Sequence, residues 1–225
     1  MNDNTRSALA EAIGTFFFVF IGGGSIIADQ ITGSGLISIA IAHGLALSIA
    51  VSATMNVSGG HINPAVTIGF LVAGKIEGAK AITYIVAQLV GATIAGFLLL
   101  SFFPAEAAAA VNLGTPALGA GVSVGKGLAI EIVTTFFLMW GIVGTAAGTK
   151  APGGLGGFGV GLTLALVILA TGPLTGAALN PARHFGTAIA SGYLDNIWLY
   201  WVGPILGGII GINLLLKILS PDNKD

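Results

Sequence analysis

Asn63-Pro64-Ala65 and Asn180-Pro181-Ala182 are the two stretches that decide the fold this sequence predicts. Asn is a favoured helix N-cap and Pro is favoured in the first helical turn, so each tripeptide predicts the start of a helix. The apolar runs that follow, residues 64–73 and 181–190, reach about 15 Å, which is half of a roughly 30 Å bilayer core. Each tripeptide is therefore expected to begin a half-helix that enters a membrane without crossing it.

The composition places the chain in a membrane. Apolar residues make up 55% and charged residues 8% of the 225 residues, and the mean hydropathy is +0.97. Soluble domains carry roughly a quarter of charged residues, so lipid must cover much of this surface. The net charge of −1 predicts no nucleic-acid partner, and the lack of cysteine excludes disulfides and thiol chemistry. No nucleophile–base pair, phosphate loop or metal-ligand pattern stands out, so we predict no enzyme activity, no cofactor and no metal.

Six further stretches are long and apolar enough to cross a bilayer, which takes about 20 residues. The sequence therefore predicts an all-α membrane protein with six transmembrane helices and two re-entrant half-helices, forming a single channel domain over residues 1–225. The six predicted crossings are residues 8–28, 36–56, 81–103, 127–147, 157–171 and 196–219.

The chain also repeats itself. The run that begins at Glu11 parallels the run that begins at Glu131, and the two tripeptides fall in register between further matches. The repeats are approximately 8–103 and 127–219. Three predicted crossings separate the tripeptides, and an odd number inverts one repeat relative to the other. Inverted repeats whose interrupted helices meet at the midplane are typical of transport proteins.

Lys and Arg predict the orientation, because cytoplasmic loops are enriched in them. We expect both termini to be cytoplasmic, and the compact loops and short termini favour a prokaryotic inner membrane. Only Lys126 and Arg183 then fall on the outer half. The basic residues expected on the cytoplasmic side are Arg6, Lys75, Lys80, Lys150, Lys217 and Lys224.

The segments before each half-helix are irregular, and irregular backbone at membrane depth is tolerated where it is buried in protein or lines a wet cavity. We therefore expect Asn63 and Asn180 at the centre of a pore. Both half-helices would point positive dipole ends at this centre, which disfavours cations and protons. The backbone carbonyls expected to line the pore belong to Gly59, Gly60, His61, Ile62, Gly176, Ala178 and Leu179.

Glu11 and Glu131 are carboxylates within predicted crossings, where ionisable groups are costly and usually functional. Their matching positions in the two repeats favour a bracing role, in which each accepts hydrogen bonds from the loop before a half-helix. A proton-coupled transporter would use the same two residues.

The two motif runs, residues 58–67 and 176–183, resemble those of the aquaporins, the major intrinsic protein family. The resemblance covers nearly the whole chain. It implies the family fold, a homotetramer in the lipid bilayer, and water as cargo. Counted from the motifs, the selectivity constriction of the family falls on His43, Ile168, Ala177 and Arg183.

This constriction departs from that of a strict water channel of the family, which has Phe at the first position and His at the second. The combination resembles the vacuolar-membrane aquaporins of plants, and it implies a wider and less polar opening. We expect water to pass, together with small neutral solutes such as ammonia, urea, hydrogen peroxide or glycerol. His184, which follows the constriction arginine, is expected at the outer surface or bracing a loop.

Three other functions stay open at this point. The chain could be a solute facilitator with water as a minor cargo. It could be a proton-coupled secondary transporter that uses Glu11 or Glu131. It could also be a structural membrane protein with a closed pore.

Overall fold

The computed structural model describes residues 1–149, 151–152 and 154–219, and this part of the chain is helical without strands. The helices are α1 Asp3–Thr32, α2 Gly35–Ser58, α3 Pro64–Val72, α4 Gly78–Phe102, α5 Ala105–Ala110, α6 Val124–Ile142, α7 Gly156–Thr175, α8 Pro181–Ser191 and α9 Leu199–Leu219. Six of them are long and apolar enough to cross a membrane: α1, α2, α4, α6 with the segment that follows it, α7 and α9. Helices α3 and α8 are the short helices that follow the two tripeptides.

The half-helices are held by the helices of the other half of the chain. Helix α3 packs against α9, and α8 packs against α4. Glycines permit both approaches: a Cβ on Gly186 would lie 2.2 Å from the carbonyl oxygen of Ala92, and one on Gly69 would lie 3.0 Å from that of Gly208. Small residues let helix backbones approach closely in lipid. Each half-helix thus ties one half of the chain to the other.

The predicted fold class is confirmed, while several boundaries differ from the sequence-based ones. Helix α1 begins at Asp3, capped by the Asn2 side chain, and α7 extends to Thr175. Helix α9 begins at Leu199, three residues later than predicted, because Asn196 adopts a left-handed φ of 55° within a turn. Lys150 and Lys224 lie outside the described residues.

Two local features were not predicted from the sequence. The connection between α4 and α6 contains α5 and a single 3-10 turn, Asn112–Gly114. After Ile142, α6 widens into a π-helical segment, Val143–Ala147, which ends with a hydrogen bond from the Gly148 amide to the Val143 carbonyl. The run of α5 has a helix signal, since alanine is the strongest helix former and Glu106 lies in the first turn. The π-helical segment has no such signal in the sequence.

Candidate pore and constriction

Asn63 and Asn180 each cap a half-helix and reach across to the opposite loop. Their Oδ1 atoms accept from helix amides, at 2.8 Å from Ala65 and 3.0 Å from Ala182. Their Nδ2 groups donate to backbone carbonyls of the other loop: Asn63 to Leu179 and Asn180 to Ile62, both at 2.9 Å. These partners also assign the amide orientations, since a carbonyl can only accept. The two half-helices therefore meet tip to tip through a reciprocal pair of hydrogen bonds.

Glu11 accepts hydrogen bonds from the first loop, residues 58–63. Its Oε1 accepts from the Ser58 hydroxyl at 2.6 Å and from the His61 amide at 2.9 Å. Its Oε2 accepts from the Ile62 amide at 2.6 Å and from Gln88 Nε2 at 2.8 Å. Glu11 is fully buried, so these donors replace the water that a carboxylate would otherwise require.

Glu131 holds the second loop in the same way. Its Oε1 accepts from the Thr175 hydroxyl at 2.7 Å and from the Ala178 amide at 3.0 Å, and its Oε2 accepts from the Leu179 amide at 2.9 Å. A tyrosine hydroxyl then ties down the start of each loop, since Tyr200 donates to the Thr175 carbonyl as Tyr84 does to that of Ser58. The loops are irregular, yet each glutamate accepts from two of their amides.

Both loops contain residues in the left-handed region of φ. Ile62 has φ 55°, Leu179 has φ 53° and Ala177 has φ 44°. Such a conformation costs a residue with a Cβ about 1–3 kcal/mol and persists where the surroundings fix it. The carboxylates of Glu11 and Glu131 fix it here, because they bind the amides of Ile62 and Leu179. The strained turn leaves the Ile62 and Leu179 carbonyls facing the opposite asparagine.

The larger of two cavities, of about 760 Å³, leads to the asparagines. Ile62 does not line it, and its carbonyl is taken by Asn180 instead. Gly176, also expected in the pore wall, lies at the smaller cavity. All five remaining predicted residues line the larger one, namely Gly59, Gly60, His61, Ala178 and Leu179, together with Asn63 and Asn180.

The smaller cavity, of about 360 Å³, is lined by three of the four residues expected at the constriction: His43, Ile168 and Arg183. Ala177 follows Gly176 of the same wall and is buried, although it lines neither cavity. His43 and Arg183 are 140 positions apart in the chain, yet a terminal nitrogen of the Arg183 guanidinium lies 3.2 Å from His43 Nε2.

The hydrogen bonds around His43 define its tautomer. Its Nδ1 lies 2.9 Å from the carbonyl oxygen of Ile39, so Nδ1 carries the proton and Nε2 accepts from the Arg183 guanidinium. The other terminal nitrogen of Arg183 donates to the Gly114 carbonyl at 2.7 Å. Arg183 has five N–H donors. Each terminal nitrogen keeps a second hydrogen after these bonds, while the buried Nε has no hydrogen-bond partner among the described residues. Donors on the guanidinium therefore remain for a solute, while the imidazole has none left over.

The sequence did not predict the roles of four residues at this site. Gly114 supplies a carbonyl from the 3-10 turn, which has no sequence signal. Gln88 bonds Glu11 from α4, and Gly22 leaves the space that the His43 ring fills, since a Cβ there would lie 2.7 Å from the ring. His184 was expected at the surface or in a loop brace; it is fully buried and stacks on Tyr200, with ring centroids 4.2 Å apart. The surface interpretation of His184 is wrong.

Comparisons with known proteins agree with this geometry. The family model "Major intrinsic protein" matches residues 1–214. Aquaporin TIP4-4 of Zea mays is 43% identical over 211 residues, covering 90% of this chain and 82% of that protein. Aquaporin TIP2-1 of Arabidopsis thaliana is 42% identical over 212 residues, covering 90% and 83%. An aquaglyceroporin structure from Plasmodium falciparum superposes with a TM-score of 0.83 at 24% identity, covering 97% of this chain and 98% of that one.

The chain belongs to the major intrinsic protein family, and the predicted resemblance to aquaporins is confirmed. The solved structure supports the fold alone, since its identity to this chain is low. Family, fold and membrane-spanning helices define an integral, multi-pass membrane protein that acts as a passive channel for water and small solutes.

Proposed function

We propose that this channel conducts water together with small neutral solutes, among them ammonia, urea, hydrogen peroxide or glycerol, and that it refuses protons and ions. The observation that carries the proposal is the His43–Arg183 contact at 3.2 Å, in a cavity wall that also holds the apolar Ile168. Arg183 offers hydrogen-bond donors to a solute oxygen, while Ile168 offers only apolar surface. A constriction that is polar on one side and apolar on another suits small solutes that are polar at one edge.

The reciprocal asparagine pair supports the refusal of protons. The positive ends of α3 and α8 converge there, and each Nδ2 group keeps a second hydrogen after bonding the opposite carbonyl. Donors and positive dipole ends at this point orient a water molecule to accept rather than donate. Arg183 adds a full positive charge to the same route.

The hydrogen bonds of Glu11 and Glu131 favour bracing over proton transport. Glu11 accepts from four donors and Glu131 from three, among them two backbone amides in each case. Protonating either carboxylate would replace an acceptor with a donor that faces other donors. A solute-coupled proton cycle would therefore disrupt the loops that position the asparagines.

Orientation and assembly complete the proposal. Lys75, Lys80 and Lys217 line the larger cavity, which supports a cytoplasmic location for this mouth and for both termini. The relatives named above are plant proteins, so they lend no support to the expected prokaryotic inner membrane. We retain a homotetramer from the family resemblance, and a single channel domain built of two inverted repeats, approximately 8–103 and 127–219.

Stopped-flow light scattering of proteoliposomes tests the function. A sucrose gradient is expected to shrink vesicles faster than protein-free controls, and urea and glycerol gradients are expected to give faster reswelling. A pH-sensitive dye trapped in the same vesicles should report no added proton leak. No acceleration with sucrose but rapid urea entry would favour a facilitator with water as a minor cargo, and solute-driven proton movement would favour the coupled transporter.

A further inference from the structure

The volume of the larger cavity is greater than a single file of water requires. Its volume is about 760 Å³ against about 360 Å³ for the smaller one, while one water occupies about 30 Å³ of liquid. Sites for small organic molecules are typically about 300–1,000 Å³. The larger cavity can therefore hold a molecule far bigger than any solute that passes the constriction.

The wall of this cavity, which includes Asn63 and Asn180, also has an apolar band. Phe18, Val51, Leu138 and Leu164 are part of it, and each is almost wholly buried within the protein. These side chains come from α1, α2, α6 and α7, so the band surrounds the cavity instead of covering one side of it. Apolar surface of this kind gains free energy when an apolar ligand displaces water from it.

The rim of the same cavity is basic. Lys75, Lys80 and Lys217 line it, and among residues 1–149, 151–152 and 154–219 no Asp or Glu does; Glu77 belongs to the same connection as Lys75 but does not line the cavity. The smaller cavity, in contrast, pairs Arg183 with Asp29 among its lining residues. The three lysines are solvent-exposed, and Lys80 Nζ also lies 5.6 Å from the centre of the Tyr84 ring. A ligand at the rim can therefore reach their ammonium groups from the solvent.

We propose that the larger cavity is a binding site for a water-soluble amphipathic organic anion, a carboxylate or sulfonate on an apolar body, which blocks conduction when bound. The acidic group sits at the lysines, because an anion is costly to bury deeper, and the apolar body lies along the band. A body of this size fills the route to Asn63 and Asn180. The blocking step rests on the proposed channel function, whereas binding does not.

The probe is 4-butylbenzenesulfonate, which stays anionic at all working pH values. Isothermal titration calorimetry on the purified protein is expected to show saturable binding, and the neutral 4-butylbenzenesulfonamide is expected to bind more weakly. Replacing all three lysines, with Lys75→Gln, Lys80→Gln and Lys217→Gln combined, is expected to weaken sulfonate binding about tenfold, since three exposed charge pairs of modest strength are lost together. Raising the salt concentration weakens it further.

Lys126→Gln is the matched control, because Lys126 is also exposed but lies outside both cavities. This variant is expected to bind the sulfonate as the unmodified protein does. In proteoliposomes, the sulfonate added outside blocks the channels whose larger cavity faces outward, and sulfonate on both sides blocks the remainder. Each variant is compared with its own uninhibited water flux.

The outcomes separate the two proposals. Saturable binding that the triple lysine variant loses, with block of flux, supports the site. Binding without any water flux in the unmodified protein would sink the proposed function but leave the site standing. Rapid water flux with no saturable sulfonate binding, or binding equal in the triple lysine variant, overturns the site.

Discussion

The approach to the first half-helix, residues 58–63, and the approach to the second, residues 175–180, share one plan. In both, a buried glutamate binds a hydroxyl and two amides, a tyrosine binds a carbonyl, and the terminal asparagine bonds across to the other loop. The loops differ in the fourth residue of the motif, where the first has Val66 and the second has Arg183.

The hydrogen bonds that both loops make and the contacts that only Arg183 makes therefore have different roles. The shared bonds position two half-helices tip to tip and belong to the architecture. Arg183, with His43 and the Gly114 carbonyl, has no counterpart in the first loop, so the polar constriction stands at one end only. The other end is a wide cavity with a basic rim. The two repeats share the bonds that pair the half-helices, and the contacts of Arg183, to which we assign selectivity, occur in the second repeat alone.

The largest expected effect comes from removing either glutamate. Glu131→Leu leaves the Thr175 hydroxyl and the amides of Ala178 and Leu179 without an acceptor. At about 1–3 kcal/mol for each orphaned group, the loss is on the order of 3–9 kcal/mol. Glu11→Leu should be at least as damaging, since Gln88 loses a partner too.

Both variants are expected to lose most of the folded protein, measured as the monodisperse fraction in size-exclusion chromatography and as Tm. Glu106→Leu, at an exposed glutamate of α5, is the control and should stay near the unmodified protein. If one glutamate tolerated leucine while the other did not, the two loops would not share a plan.

The asparagine pair gives the next largest effect. Asn63→Ala and Asn180→Ala each remove an N-cap, worth about 1 kcal/mol, and leave a carbonyl of the other loop without its donor. Each variant is expected to lose about 2–4 kcal/mol, and the double variant to lose less than the sum, because either change already loosens the same junction.

Thermal unfolding of the two single variants and the double variant measures this coupling, which should be at least about 0.5 kcal/mol. Asn213→Ala, at an asparagine that only bonds a carbonyl within α9, serves as the control. Unequal single effects, or full additivity, would argue against a reciprocal junction.

Gly22→Ala tests the His43–Arg183 constriction, which has no counterpart at the first loop. The new Cβ would lie 2.7 Å from the His43 ring, and overpacking a tight site costs about 1–3 kcal/mol. The ring must move relative to Arg183, so a lower Tm and a reduced water flux are expected together. Gly125→Ala, where a Cβ meets nothing within 4 Å, should change neither. Unchanged flux in Gly22→Ala would show that the placement of His43 does not limit conduction.

The smallest effect is expected at Gln88, which braces the first loop and has no counterpart at the second. Gln88→Met removes bonds to Glu11 and Thr67, yet it also removes a buried Oε1 that has no protein partner. These terms oppose each other, so the change in unfolding free energy should be within about 1 kcal/mol. A collapse of Tm would mean that the first loop depends on more than the shared plan.

The sequence predicted those features that depend on local chemistry or on the repeat. Asn followed by Pro favours a capped helix start, and both half-helices begin there. The matching positions of Glu11 and Glu131 suggested braces because a buried carboxylate needs donors. The boundaries that failed, such as the start of α9, depend on turns that tertiary packing selects.

The remaining features required the folded chain. The bonds from Asn63 to Leu179 and from Asn180 to Ile62 join residues more than a hundred positions apart, and nothing near either asparagine specifies the other loop. The Gly114 carbonyl is a backbone group, so its residue type carries no signal. His184 is polar by type but buried by its stacking on Tyr200, which only the placement of α9 reveals.

One comparison tests the central claim most directly: glycerol and proton permeability of Arg183→Val beside Val66→Ala in the same proteoliposomes. Arg183→Val makes the second motif match the first, removing a charge from the route. It is expected to raise both permeabilities at least about tenfold, equal to ~1.4 kcal/mol of barrier, while Val66→Ala stays within about twofold. Equal changes in the two variants, or no change in Arg183→Val with water flux retained, would contradict a selectivity carried by one end of the pore.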